Sequence, residues 1–209
     1  MTITITIIII TAVISLSAFN NPKVINDLIF YPPDITNRNQ WYRFITCGFI
    51  HADMMHLFFN MFSLYFFGRF VEGAYAHTIT MGKVAFIGLY VSALVISLIP
   101  TYLKHKDDYY YRSLGASGAV SAVTTAAVLY APWQKIYLFA VLGMPLIVYA
   151  ILFVGLSAYM SRKGGGNINH DAHLWGALYG IVFTALLLFV FNPDLFRYLL
   201  TRLINPTFF

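Results

Sequence analysis

Charge is what this chain has least of. Only 10% of its 209 residues are Asp, Glu, Lys or Arg, too few to give a folded domain a water-facing surface. A soluble enzyme or soluble binding module is thereby excluded. Cysteine is nearly missing too: Cys47 stands alone, which rules out an internal disulfide and leaves the redox compartment open. No basic run is longer than Arg162-Lys163, so the net charge of +5 suits anionic lipid head groups and gives no reason to expect nucleic acid. HExxH is absent. A metal site built from His51, His56, His170 and His173 would also lack a carboxylate on a matching helical face, so no metal is expected.

What the chain has instead is apolar residues, 59% of the total, with a mean hydropathy of +0.72. They fall into runs that predict spans at about 3–19, 54–76, 81–102, 115–131, 136–160 and 170–191, followed by an interfacial tail at 192–209 that carries Arg197 and Arg202. The fold class expected is an all-α polytopic membrane protein with residues 1–209 as one membrane domain. The first run alternates Thr and Ile like a strand. A lone strand cannot satisfy its backbone in lipid, whereas a helix can, and no positive charge precedes the run as a signal peptide would require. Residues 20–53, rich in turn signals and aromatics, are expected to lie partly in the head-group layer. Gly143 and Pro145 should weaken or kink the fifth span.

Polar side chains inside spans are costly when they face lipid, so they mark either interhelical ties or chemistry. His56, Asn60 and Ser63 share one helical face of the second span. Ser117 lies in RSLGASGA at 112–119, where a polar loop becomes an apolar segment. A helix starting there would aim its free N–H groups and positive dipole end at the hydroxyl's surroundings, which suits an oxyanion. A plain Ser N-cap explains the same octapeptide. Gly115 and Gly118 permit close approach. In the sixth span His173 sits one turn above Gly176, and Gly180 completes a GxxxG pair. If that pair meets Gly118 and Ala122, then His173 and Ser117 reach the same depth, a base beside a hydroxyl.

Together, GASG at 115–118, HLFFN at 56–60 and AHLWGALYG at 172–180 resemble the rhomboid intramembrane serine proteases, and Arg43, Thr46, His51 and Glu72 extend the similarity over about 40–190. The resemblance implies a six-transmembrane-helix rhomboid-like bundle with Ser117 as nucleophile and His173 as general base and then acid, with no carboxylate partner. It implies an oxyanion site made by His56, Asn60 and the Ser117 N–H, supported by Gly115, Gly118, Gly176, Gly180, Arg43, Glu72 and His51. Substrates would be single-span transmembrane proteins cut near the membrane boundary in the lipid bilayer, with no metal and no organic cofactor. The membrane expected is a bacterial inner or plasma membrane, with the active-site mouth facing outside. Eight Lys and Arg on the mouth-side loops against five opposite argue for the reverse orientation. The family's tyrosine four residues after the serine is Ser121 here, its Trp-Arg pair appears as WYR at 41–43, and Cys47 replaces a histidine found in some relatives. A catalytically silent relative that binds membrane proteins is the alternative, although such relatives usually lack the serine or histidine that this chain retains. A transporter is disfavoured because the spans show no inverted repeat. The loop at 162–169 and the kinked fifth span are expected to gate substrate entry.

Overall fold

Helix α1 (Ile3–Ala18) realises the first span. The Thr2 hydroxyl accepts from Ile5 N at 3.3 Å to begin it. Its remaining problem is a buried N-terminus, whose free N–H groups find no water. Glu72 solves that: its carboxylate accepts from Ile3 N and Thr4 N at 2.8 and 2.9 Å, and from Thr4 Oγ1 at 2.7 Å. The computed structural model describes residues 2–138, 141–164 and 168–206.

The stretch after α1 is more ordered than a loop. It forms the short helices α2 (Pro22–Leu28), α3 (Pro32–Arg38) and α4 (Arg43–Thr46). Proline opens the first two, where its missing N–H is no loss. Arg43 binds the stretch together. Its guanidinium donates to the carbonyls of Asn26 and Ile29 at 2.8 and 2.7 Å and to Gln40 Oε1 at 2.6 Å, with Asp34 at 3.6 Å.

The second span is helical throughout but not uniformly so: α5 (Met54–Ser63) passes through a π turn at Leu64–Gly68 into α6 (Arg69–Thr78). Asp53 caps α5 by accepting from His56 N at 2.8 Å. The wide turn re-phases the helix, so Asn60 is buried before it and Glu72 is buried against α1 beyond it. The third span is α7 (Gly82–Ile96) followed by α8 (Ile99–His105), which Pro100 opens.

Helix α9 (Ser117–Tyr130) is the axis of the bundle, buried continuously over residues 118–129. Against it lies α11 (His170–Phe191). A Cβ on Gly176 or Gly180 would fall onto the backbone carbonyls of Gly118 and Ala122, so the two helices meet backbone to backbone through the glycines that the spacing singles out. Thr125 Oγ1 donates to Ala177 O at 2.7 Å, and Tyr75 OH and Thr184 Oγ1 bond at 2.6 Å, tying α11 to α9 and α6.

The fifth span differs from its sequence reading. Strands β1 (Lys135–Leu138) and β2 (Leu142–Pro145) pair antiparallel, with Lys135 opposite Pro145 and Ile136 opposite Met144. The span itself, α10 (Leu146–Lys163), starts at 146 rather than 136 and carries no proline inside it. Pro145 has extended backbone (φ −60°, ψ 143°) and precedes the helix, so it sets the entry and kinks nothing. The tail forms α12 (Pro193–Ile204), capped by Asn192 and tied back where Trp133 Nε1 donates to Arg202 O at 2.7 Å.

By length and composition, Gly82–His105, α10 and α11 can each cross a membrane, while α1 and α9 are shorter apolar helices. The assembly is an all-α polytopic membrane bundle, with one two-stranded hairpin on the α9–α10 connection.

The glycine contact makes a direct prediction. Gly176→Ala must push two backbones apart and should lower stability by about 1–3 kcal/mol. Gly155→Ala on α10, where nothing lies within 4 Å of the added carbon, should leave it within about 0.5 kcal/mol of the parent. Midpoints of SDS-induced unfolding in mixed micelles would measure both.

Candidate active site

Ser117 is the first residue of α9, and the turn before it is held from several sides. Gly115 has φ +113°, a conformation that L side chains rarely adopt. A Cβ there would also lie 2.7–2.9 Å from the His56 ring, so glycine is required by backbone shape and by space. Gly115 N donates to Cys47 O at 2.9 Å, and Ser113 and Phe30 exchange backbone bonds at 3.0 and 3.1 Å. The helical bond Val120 N→Ala116 O is made at 3.0 Å. The N–H groups of Ser117, Gly118 and Ala119 therefore precede the helical ladder and have no partner within it.

Behind this turn runs a relay that the sequence does not reveal. Ala116 N donates to His51 Nε2 at 3.5 Å, His51 Nδ1 meets Ser15 Oγ at 2.9 Å, and Ser15 Oγ donates to Phe49 O at 2.8 Å. Those directions agree only if His51 is neutral with its proton on Nδ1. Ser15 looks unremarkable in sequence because a lone hydroxyl in an apolar helix usually bonds its own backbone. Its only signal is being a polar residue in the last turn of an apolar span.

His56 stands edge-on to His51, centroids 5.0 Å apart. Its Nδ1 accepts from Ala52 N at 3.5 Å, which leaves the proton of the neutral ring on Nε2, the atom beside Gly115. Asn60, one turn on and buried, donates one amide hydrogen to His56 O at 3.0 Å and keeps a second. Ser63 lies three residues further along α5, on its partly buried side.

His173 approaches from α11. The Gly118–Gly176 contact lies one turn below it, and Ala172 O comes within 3.3 Å of the carbon that a substituted Gly118 would carry. Phe153 of α10 stacks on the imidazole at 5.8 Å and 25°, and His170 meets it edge-on at 5.8 Å. Ser121, by contrast, donates to Ser117 O at 2.7 Å. The ring beside His173 therefore comes from a neighbouring helix instead of from the residue four after the serine. Among the described residues neither Ser117 Oγ nor the His173 ring makes a hydrogen bond. Such bonds are often long in unliganded sites and tighten when substrate arrives.

A cavity of about 10 Å³ adjoins Ser117, with Ser97, Ser113, Asn169 and Cys47 among its walls. That volume suits a single water. It lies on the Ser113 side of the serine and is a nearly closed chamber instead of a wide opening. Asn169 Oδ1 accepts from Ala172 N and Thr101 Oγ1 at 3.0 and 3.2 Å, and its amide donates to Ser113 Oγ at 3.4 Å. Asp171 accepts from Ser161 and faces Lys104 Nζ at 3.5 Å, fastening the end of α10 beside His173. Of the expected gate loop at 162–169, residues 165–167 lie outside the described residues. Among the described residues no cluster of three or more His, Cys, Asp or Glu is arranged to hold a metal ion. Arg43 and Glu72 lie away from Ser117, in the first-loop and α1 anchors already given.

Comparison with known proteins matches residues 38–189 to the Rhomboid domain. The chain is 34% identical to Rhomboid-like protein 11, chloroplastic, of Arabidopsis thaliana, over 70% of this chain and 52% of that protein. It is 29% identical to a candidate rhomboid protease, YdcA, of Bacillus subtilis, over 70% of this chain and 67% of the relative. It is 31% identical to human Presenilin-associated rhomboid-like protein, mitochondrial, over 64% and 34%. The chain thus spans about half the length of the plant relative. Chloroplastic and mitochondrial names among these relatives give no support to the bacterial inner membrane expected from sequence.

Ser15→Ala would leave the His51 Nδ1–H without its partner in a buried place and should destabilise by about 1–3 kcal/mol. An SDS-unfolding midpoint equal to the parent's would show that the relay carries no stability.

Proposed function

The chain belongs to the rhomboid family, and from that premise we propose that it is an intramembrane serine endopeptidase, residues 1–209 acting as one membrane domain on single-span membrane-protein substrates. The observation that carries the reading is the backbone contact of Gly118 with Gly176, which keeps Ser117 and His173 on adjoining turns. His173 takes the proton of Ser117 Oγ as that oxygen attacks the scissile carbonyl. The oxyanion is met by the Ser117 N–H, His56 Nε2–H and the second amide hydrogen of Asn60. His173 then protonates the leaving amine, and an acyl-enzyme remains. Water deprotonated by His173 attacks the ester, Ser117 recovers its proton, and the new carboxyl terminus departs. All these donors belong to the chain itself, and no step calls for a metal or organic cofactor.

Helix α10 packs on α9 and α11, leaving its other side to the lipid. We place substrate entry there, with Phe153 coupling α10 to the imidazole and the mouth facing the outer side as in the family. One observation favours the alternative, a silent relative that binds membrane proteins: the unmade Ser117–His173 bond.

Labelling with a fluorophosphonate in liposomes separates the two. A protease labels at Ser117 and loses the label in Ser117→Ala and His173→Ala; a parent chain that never labels is the silent binder. For cleavage of a single-span reporter, Asn60→Ala should lower kcat about a hundred- to thousandfold. Phe153→Ala should lower it less and leave Ser117 labelling detectable.

A further inference from the structure

Asn169 is the last residue before α11, and its side chain joins three parts of the chain around the dyad. Its Oδ1 accepts from Ala172 N at 3.0 Å, capping the helix, and from Thr101 Oγ1 of α8 at 3.2 Å. The Ala172 N–H can only donate, which fixes the way the amide faces. Its Nδ2 therefore points to Ser113 Oγ, 3.4 Å away in the loop that leads into α9. Thr101 is fully buried, so the cap is tied to a third helix from inside the bundle. Asn169 and Ser113 both wall the chamber that adjoins Ser117.

Register gives this bond its meaning. Ser113 stands four residues before Ser117, and Asn169 stands four residues before His173. On the other side of the dyad Gly118 meets Gly176 backbone to backbone. Each reactive residue thus lies between two points at which its own stretch of chain is held to the other. One contact alone lets two helices rock about it. A second contact, seven residues and roughly 10 Å away along α11, removes that freedom. At 3.4 Å the bond is a weak one, so its loss should show in alignment more than in stability. Alignment matters: a displacement of about 1 Å between reacting groups can cost about a hundredfold in rate.

We propose that Asn169 is a positioning residue of the dyad: by tying Ser113 to the start of α11, it sets the spacing between Ser117 and His173. The role rests on the protease reading given above, while the spacing itself can be measured without catalysis.

Asn169→Ser keeps an oxygen able to cap α11 but is too short to reach Ser113. Ser113→Ala removes the same bond from the other side and leaves the start of α11 untouched. In liposomes each should lower kcat for the single-span reporter roughly five- to twentyfold, with KM within about twofold of the parent's. The midpoint of SDS unfolding should stay close to the parent's. The double variant should lose no more than the larger single loss, because both changes act through one bond. Spacing is read separately with Ser117→Cys and His173→Cys combined in a Cys47→Ala background and treated with dibromobimane, which becomes fluorescent on bridging two neighbouring thiols. Bridging should be rapid, and adding Asn169→Ser should slow it severalfold. Full kcat in either single variant, a loss confined to KM or matched by a lowered unfolding midpoint, additive losses in the double variant, or bridging that ignores residue 169 would each overturn the proposal. A parent chain that never labels at Ser117, but whose thiol bridging slows with Asn169→Ser, would sink the protease reading and leave the clamp standing.

Discussion

Two backbones touching inside a lipid bilayer are the constraint on which this structure depends. In hydrocarbon, apolar side chains gain little by meeting each other, so helices associate through close packing and hydrogen bonds. The α9–α11 contact uses both, with glycines against carbonyls and Thr125 reaching Ala177 O. Its consequence is positional. With the helices this close, the imidazole one turn above the contact on α11 and the hydroxyl of the residue next to Gly118 on α9 have little freedom to drift apart.

Around that contact the chain invests its scarce polar groups as fasteners. Glu72 holds the start of α1, Arg43 gathers the first-loop helices, and His51 joins Ser15 to the backbone ahead of Ser117. Each removes a donor or acceptor that would otherwise be stranded away from water. The same ties run from the first segment of the chain to the turn that presents the serine, so the floor of the site is rigid on the α1 side. On the α10 side Leu146 and Ala150 pack into the core, and among the described residues the ties nearest His173 are the stacked ring of Phe153 and the fastening of Ser161 to Asp171.

Much of this was readable in the sequence because membrane spans obey few rules. Spacing alone located Gly118, Gly176 and Gly180 on facing stripes, and the polar residues inside spans singled out His56, Asn60, Ser117 and His173. The errors have physical causes. Residues 135–145 are apolar enough to pass for the start of a helix, and only pairing between the two strands distinguishes the hairpin. The π turn at Leu64–Gly68 leaves no pattern, since hydropathy does not register one extra residue in a turn. Ser121 raised the question of what steadies His173, and Phe153 could not be found because it comes from another helix, 20 residues earlier in the chain. Ser15 and Asn169 each act through two long-range side-chain bonds, which local periodicity does not encode.

Helix α9 raises a question of biogenesis. At 14 residues it is about 21 Å long, short of the roughly 30 Å hydrocarbon layer, and it is rich in hydroxyls. Such a segment partitions poorly into lipid by itself, and its principal neighbour α11 is synthesised 40 residues later. The nascent chain must therefore keep α9 sheltered, by the translocon or by the helices already made, until α11 arrives to enclose it. Folding of the bundle's core therefore waits on the synthesis of α11.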